Sequence, residues 1–319
     1  MFIVKRSILT LLFTCSAIVL LMGCNSEGEK NKEEGATAHE EKQTKVVKDK
    51  LGKVEIPMKP ERIADVSGST EELLALGFTP VISGNTDMSN SKEFSPTIKD
   101  KLGKGVQNAG WYHSEVNIET IAATKPDLIL AGKMHEKLYD QLQKIAPTVL
   151  VPYYYDSFRE RFEYVATILN KQDEMNKWMD DYDKKAEEVA GKVKEKTKQE
   201  TFAVIEATPK DIRLYVRSGI ADIIYDDMKL PKVAGLPEPD PWGGKVTSVE
   251  ALDSIDPDHI ILMANKGENV LDNNKVWESL RAVKTGHVYE MTSDDNYNYS
   301  FTAFGRQKLI ERIDGWFAK

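Results

Sequence analysis

Apolar and polar positions divide the chain into three regimes. From Ile8 to Met22 the residues are apolar except for Thr10, Thr14 and Ser16, and Lys5 and Arg6 precede them. That run is shorter than the roughly 20 apolar residues of a membrane-spanning helix but has the proportions of an export signal, placed at residues 1–23. From Asn25 to His39 no large apolar residue occurs. Such a segment buries too little surface to offset its ordering entropy, which predicts a mobile tether over residues 24–47. Apolar residues return at Val46, and the remainder is long for one domain and suited to two lobes.

Within that remainder, short apolar runs alternate with helical periodicity. Strands are expected at Arg62–Val66, Thr148–Val151, Phe202–Ile205 and His287–Met291, with a helix at Glu71–Leu76 after a Ser-Gly-Ser-Thr turn. Residues 116–132 and 246–264 resemble one another: aligning Glu119 with Glu250 also aligns Pro126 with Pro257 and Asp127 with Asp258. Each copy reads as a capping residue (Asn117, Ser248), a short helix, a Pro-Asp stop and an apolar strand. Strand–helix alternation with this internal duplication predicts an α/β fold of two Rossmann-like lobes with mostly parallel sheets. Between them, residues 157–200 carry an amphipathic pattern through Phe158, Phe162, Val165, Met175, Met179, Tyr182 and Val189. That pattern predicts one long linker helix, with lobes at 48–156 and 201–319.

Charge then narrows the partners. Fifty-one acidic against 43 basic residues leave a net charge of −8, which disfavours nucleic acid and anionic lipid surfaces. Of the two cysteines, Cys15 lies in the export signal, so Cys24 would be the lone thiol after cleavage. The sequence Leu21-Met22-Gly23-Cys24 resembles the lipobox of bacterial lipoproteins. That resemblance implies a diacylated (palmitate-type) Cys24 and a membrane anchor on the extracytoplasmic face. Enzyme signatures are missing: no Gly-x-Ser-x-Gly elbow, no His-Glu-x-x-His helix and no P-loop occurs, so no enzyme is expected. The five histidines read as scattered, and no protein metal site is expected.

Together, the lipobox, the acidic tether, Pro60-Glu61-Arg62-Ile63, both Glu-plus-Pro-Asp repeats, Lys144–Thr148 and Trp277–Tyr289 resemble the iron-siderophore substrate-binding proteins of ABC importers. The resemblance runs over essentially the whole chain. It implies a monomer with ligand in a shallow cleft between lobes bridged by a rigid helix, and ABC permease subunits as partners. The ligand would be a ferric siderophore, which fills the iron's coordination sphere itself; no cofactor is implied. Haem, cobalamin, citrate-type and catecholate ligands are the alternatives, and an exported enzyme is the alternative of another class.

Ligands of open α/β lobes sit where strand ends lead into helices. The segments expected there are Ser67–Thr70, Gly110–Glu115, Lys133–His135, Ile212–Gly219, Pro241–Lys245 and Asn296–Phe301. Trp111, Tyr112 and His113 precede the first repeat and Trp242 precedes the second; cleft exposure is weighed against core packing. Arg213 and Arg217 flank Tyr215 at spacing two, which aims both one way in a strand, toward a pocket or toward solvent. Tyr297 and Tyr299 resemble the aromatic pair of hydroxamate-siderophore binders. Where those binders often carry Gly-Arg-Gly-Gly, this chain reads Arg217-Ser218-Gly219. Aromatic residues stand at Tyr112, Tyr297 and Tyr299, where citrate-type binders carry arginines, which favours a less charged, hydroxamate- or catecholate-like ligand. Arg306 is expected on a helix surface. Glu119 and Glu250 stabilise first helical turns through the dipole, and the family resemblance adds a permease-docking role.

Overall fold

The computed structural model describes residues 43–151 and 158–318. The export signal, Cys24 and most of the expected tether lie outside the described residues. Among those described, no helix is long and apolar enough to cross a membrane.

The folded region opens earlier than the tether reading placed it. Strands β1 (Thr44–Lys48) and β2 (Lys53–Pro57) form an antiparallel hairpin. Val54 and Ile56 are buried, as alternation along one sheet face requires. Residues 44–47 therefore belong to the fold.

In the first lobe, β3 (Ile63–Val66), β4 (Ile82–Ser83), β5 (Gln107–Asn108), β6 (Leu128–Ala131) and β7 (Thr148–Leu150) make an all-parallel sheet in the order β5-β4-β3-β6-β7. Continuous apolar strands such as Leu128–Ala131 are buried on both faces, as parallel sheets demand. The second lobe is mixed: β8 (Phe202–Ala207), β11 (His259–Ala264) and β12 (Val288–Met291) run parallel, while β9 (Ile212–Tyr215) is antiparallel to β8 and to β10 (Gly244–Thr247).

The duplication has a shared mechanical basis. Asp127 accepts the backbone N–H of Glu61 and Arg62, both at 2.9 Å, just before β3. Asp258 accepts the backbone N–H of Thr201 at 2.8 Å, just before β8. In each lobe the aspartate of the Pro-Asp pair thus fixes the start of the neighbouring central strand. Caps differ. Asn117 accepts Thr120 N–H at 3.0 Å, whereas the Ser248 hydroxyl makes no cap and instead bonds Glu250. The second copy accordingly begins as a 3₁₀ turn, Val249–Ala251, before a single α-turn.

The linker is two helices rather than one. Phe158–Leu169 ends where Asn170 takes a left-handed conformation (φ 56°), and Gln172–Thr197 follows. Asparagine tolerates that conformation, so it stops one helix while the apolar stripe carries on into the next. Met175, Met179, Tyr182, Ala186, Val189 and Val193 form the buried stripe of the longer helix. The last helix, Ala303–Phe317, packs along it and also touches the first-lobe helix Thr70–Ala75. One apolar core runs through Leu73 and Leu128, through Phe162 and Tyr182, and into Phe202, Val204 and Ile310.

Charges are buried at this junction. Arg161 pairs with Glu72 at 2.7 Å and also donates to the Phe301 carbonyl. Arg306, expected on a helix surface, is 3% exposed and pairs with Asp227 at 2.6 Å. Asp227 also accepts from Tyr182 and Arg159. Arg306 falls on the face of the last helix that meets the linker, so a helix rich in charge still buries one.

Candidate functional site: the cleft between the lobes

The expected site residues come from both lobes, and most of them converge. Trp111, Tyr112 and His113 form a half-buried aromatic cluster, with Tyr112 and His113 ring centroids 4.1 Å apart and Trp111 4.9 Å from His113. Tyr112 lies against the chain at Gly68 and Gly84; a Cβ on Gly68 would fall 2.7 Å from its ring. Gly68 also has φ +88°, which suits glycine. Burial, followed by the nearby Arg161 and His135 charges, lowers the His113 pKa to about 3, so its imidazole is neutral.

Opposite stands a hollow of about 350 Å³ walled by Glu206, Arg213, Tyr215, Ser218, Trp242, Asn296, Tyr297 and Phe301. Trp242 also closes one side of a larger cleft of about 1230 Å³. First-lobe residues 113–118 and the 3₁₀ turn Lys133–Leu138 form its other wall. Tyr297 reaches Trp111 and Tyr112 in a narrow space between these walls. Another hollow, of about 510 Å³, lies around Arg62 and Gln107 at the amino ends of the first-lobe strands. It has no aromatic wall, so the functional site is placed in the cleft.

Trp242 is half-exposed (53%) yet held firmly. Asp240 accepts its backbone N–H at 2.8 Å, and Gly243, at φ +87°, turns its own carbonyl to accept Val216 and Arg217 N–H. Asp240 also takes Arg213 at 2.7 Å. Slight burial works against its ionisation, but the Arg213 bond holds its carboxyl below the usual carboxylate range. Tyr215 donates to Glu206 at 2.9 Å. Burial, then the Glu206 charge, pushes the Tyr215 hydroxyl far up, and the same two causes raise Tyr297. Both phenols remain hydrogen-bond donors at neutral pH.

Arg213 and Tyr215 share a strand face, as spacing two requires, but the strand ends at Tyr215. Arg217 therefore leaves that face and lies behind the Trp242 turn, 3.4 Å from the Asp240 carbonyl. The segment expected as a loop at Asn296–Phe301 begins inside a helix, Ser293–Tyr299. Residues two apart on a helix point to different sides, so Tyr297 enters the cleft while Tyr299 lies under Arg312 at 5.5 Å. Ser218, Asn296 and Phe301 fall within segments expected at the cleft without being singled out there, whereas Glu206 lies outside every expected segment. Glu206 sits one residue beyond the expected end of its strand, and its signal is a polar position within the apolar run of β8.

Glu119 and Glu250 are both exposed near the starts of equivalent turns. Histidines expected to be scattered are not: His259 and His287 stack with centroids 4.6 Å apart, at the sheet end away from the cleft.

The cleft walls carry balanced charge, with Glu115, Glu136 and Glu206 against Lys133, Lys137 and Arg213. Such a surface suits a bulky, weakly charged ligand with flat apolar faces.

Comparison with known proteins agrees with this architecture. The periplasmic binding protein family model matches residues 66–294. The Bacillus subtilis protein named "Probable siderophore-binding lipoprotein YfiY" is 30% identical over 99% of each chain. The Fe(3+)-citrate-binding protein YfmC of the same organism is 28% identical over 87% of each. A crystal structure of a FhuD-fold component of a Fep/Fec-like ferrichrome ABC transporter from Bacillus subtilis superposes with a TM-score of 0.73 at 27% identity, covering 86% of this chain and all of that one. With its two duplicated lobes and a helical bridge between them, the chain belongs to the periplasmic binding protein family.

Proposed function

We propose that this protein captures a ferric siderophore in the cleft between its lobes and delivers it to the permease of an ABC importer. One observation carries the reading: Trp111, Tyr112, Trp242 and Tyr297 converge from both lobes on a cleft with no excess of either charge. Iron is cargo here, enclosed by the chelator. Aromatic faces pack against the chelator's arms, while Arg213 and the tyrosine hydroxyls hydrogen-bond its outward oxygens.

By their names, the similar proteins include a ferric-citrate binder and a component of a ferrichrome transporter. Charge favours a hydroxamate ligand here. Arg213 is already paired with Asp240, and the Glu206 carboxylate would repel a citrate-type polyanion. Ferric trihydroxamates are neutral or cationic. Lipid attachment through Cys24 would hold a monomer at the extracytoplasmic face of the membrane, with Glu119 and Glu250 docking the permease.

Tryptophan fluorescence of the full chain, titrated with ferric hydroxamate, catecholate and citrate complexes and with haem, tests the proposal. Saturable quenching by the hydroxamate at submicromolar levels, weakened by Trp242→Ala, is the expected result. Preference for citrate would overturn the hydroxamate assignment, and response to haem alone would overturn the siderophore reading.

A further inference from the structure

Three parallel strands of the second lobe begin at the edge of the sheet remote from the cleft, and a ligating side chain stands at the start of each. Glu200 lies two residues before β8, His259 opens β11, and His287 immediately precedes β12. Strand register makes them neighbours: His259 sits opposite Phe202, and Ile260 opposite Val288. His259 Nε2 is 2.7 Å from Glu200 Oε2. One ligand atom from each of the three side chains lies within 4.8 Å of the other two.

We propose that Glu200, His259 and His287 form a binding site for a borderline divalent first-row cation such as zinc, separate from the siderophore cleft. Two imidazoles and one carboxylate suit such ions better than magnesium or calcium, which prefer all-oxygen sites. The surroundings of the rings support the assignment. His287 Nδ1 lies 3.3 Å from the Asp258 carbonyl. A carbonyl only accepts, so Nδ1 carries the proton and Nε2 keeps its lone pair. His259 Nδ1 lies 3.2 Å from the Tyr289 hydroxyl, which leaves its Nε2 toward Glu200. Backbone and phenol partners of this kind orient metal-binding histidines. At 2.7 Å from a carboxylate, His259 Nε2 donates a proton to Glu200, and a bound cation would take that proton's place between them.

Metal–ligand bonds of about 2.0–2.1 Å set the ligand atoms roughly 3.3 Å apart, so His259 and Glu200 must open from 2.7 Å while His287 adjusts to meet them. The exposed Glu200 and half-buried His287 have room to do so. Three protein ligands leave a coordination position for water. Glu200 follows the long linker helix, which ends at Thr197, so an occupied site would tie that helix end to the sheet of the second lobe.

Isothermal titration of the untagged full chain with zinc chloride, magnesium chloride serving as control, tests the site. Saturable uptake of one zinc and no uptake of magnesium is expected. Affinity should drop at least about tenfold in both His287→Ala and Glu200→Gln. Zinc should raise the thermal midpoint of the parent and not of the variants, since only a native-state ligand stabilises. Circular dichroism in the absence of metal checks that each variant is folded. Absence of zinc uptake, or uptake unaffected by both substitutions, would overturn the proposal. Ferric-siderophore titration should be the same with and without zinc, and competition between the two would place the cation in the cleft instead.

Discussion

The carboxylate of Glu71, on the first helix of the first lobe, accepts the backbone N–H of Gly305 at 2.9 Å in the first turn of the last helix. It also accepts from Phe304 N–H at 2.6 Å and from the Thr97 hydroxyl. A first-lobe side chain thereby caps the helix that closes the chain.

That contact titrates. Burial, with the adjacent Glu72 charge adding to it, raises the Glu71 pKa from 4.5 to about 7 despite the hydrogen bonds. An acid whose folded pKa lies above its unfolded value favours the folded state when protonated. Its contribution is therefore full below pH 4.5 and is lost as pH rises through 7, amounting to at most about 3 kcal/mol. Urea unfolding of Glu71→Gln and the parent between pH 4 and 8 should show the variant gaining relative stability across that window. A difference that stays flat with pH would sink the assignment.

Arg306→Leu removes the guanidinium that meets Asp227 at 2.6 Å in a fully enclosed setting. Breaking one partner of a buried pair costs about 3–5 kcal/mol when the other charge is left alone, and the loss here falls below that because Asp227 keeps Arg159 and Tyr182. The urea midpoint should fall with an unchanged slope. Restoring part of the loss with Asp227→Asn in the same chain would identify the under-compensated carboxylate as the cause.

Gly243→Ala acts on the cleft through the backbone. An added Cβ would lie 2.4 Å from the Arg217 carbonyl oxygen, at a φ of +87° that side chains avoid. The turn must shift, and Trp242 with it. Siderophore affinity is expected to fall by about tenfold or more, alongside a stability loss of about 1–3 kcal/mol. Unaltered affinity would remove Trp242 from the binding surface.

Replacing both Glu119 and Glu250 by Ala should leave siderophore affinity as it is and reduce cellular uptake of the ferric complex. Paired surface carboxylates act on encounter, so the defect should resemble that caused by added salt. Uptake at the parental rate would dismiss the docking role.

What the sequence made legible was mostly local. Pro126-Asp127 and Pro257-Asp258 announce a helix stop within a few residues, and the structure adds that each aspartate holds the next strand's neighbour. The position of Trp111, Tyr112, Trp242 and Tyr297 along the cleft is legible because strand ends and turns can be read from nearby punctuation. The aim of Tyr299 and Arg217 is not legible, because it depends on whether the segment is strand, helix or loop: the strand stops at Tyr215, and Tyr299 ends a helix. Arg306 and the His259–His287 stack depend on packing between elements far apart in sequence, on sheet order and register, which periodicity does not carry.

The last helix lies along the linker and meets the first lobe through Leu73's neighbours, so the halves are belted together at two points along the chain. A single bend cannot part them, since swinging the lobes would pull Arg161 from Glu72 or uncap the final helix at Glu71. The aperture is thus set when the protein folds. Sorting among iron chelates then falls to walls whose spacing and charge are fixed beforehand, in the manner of a gauge rather than a grip.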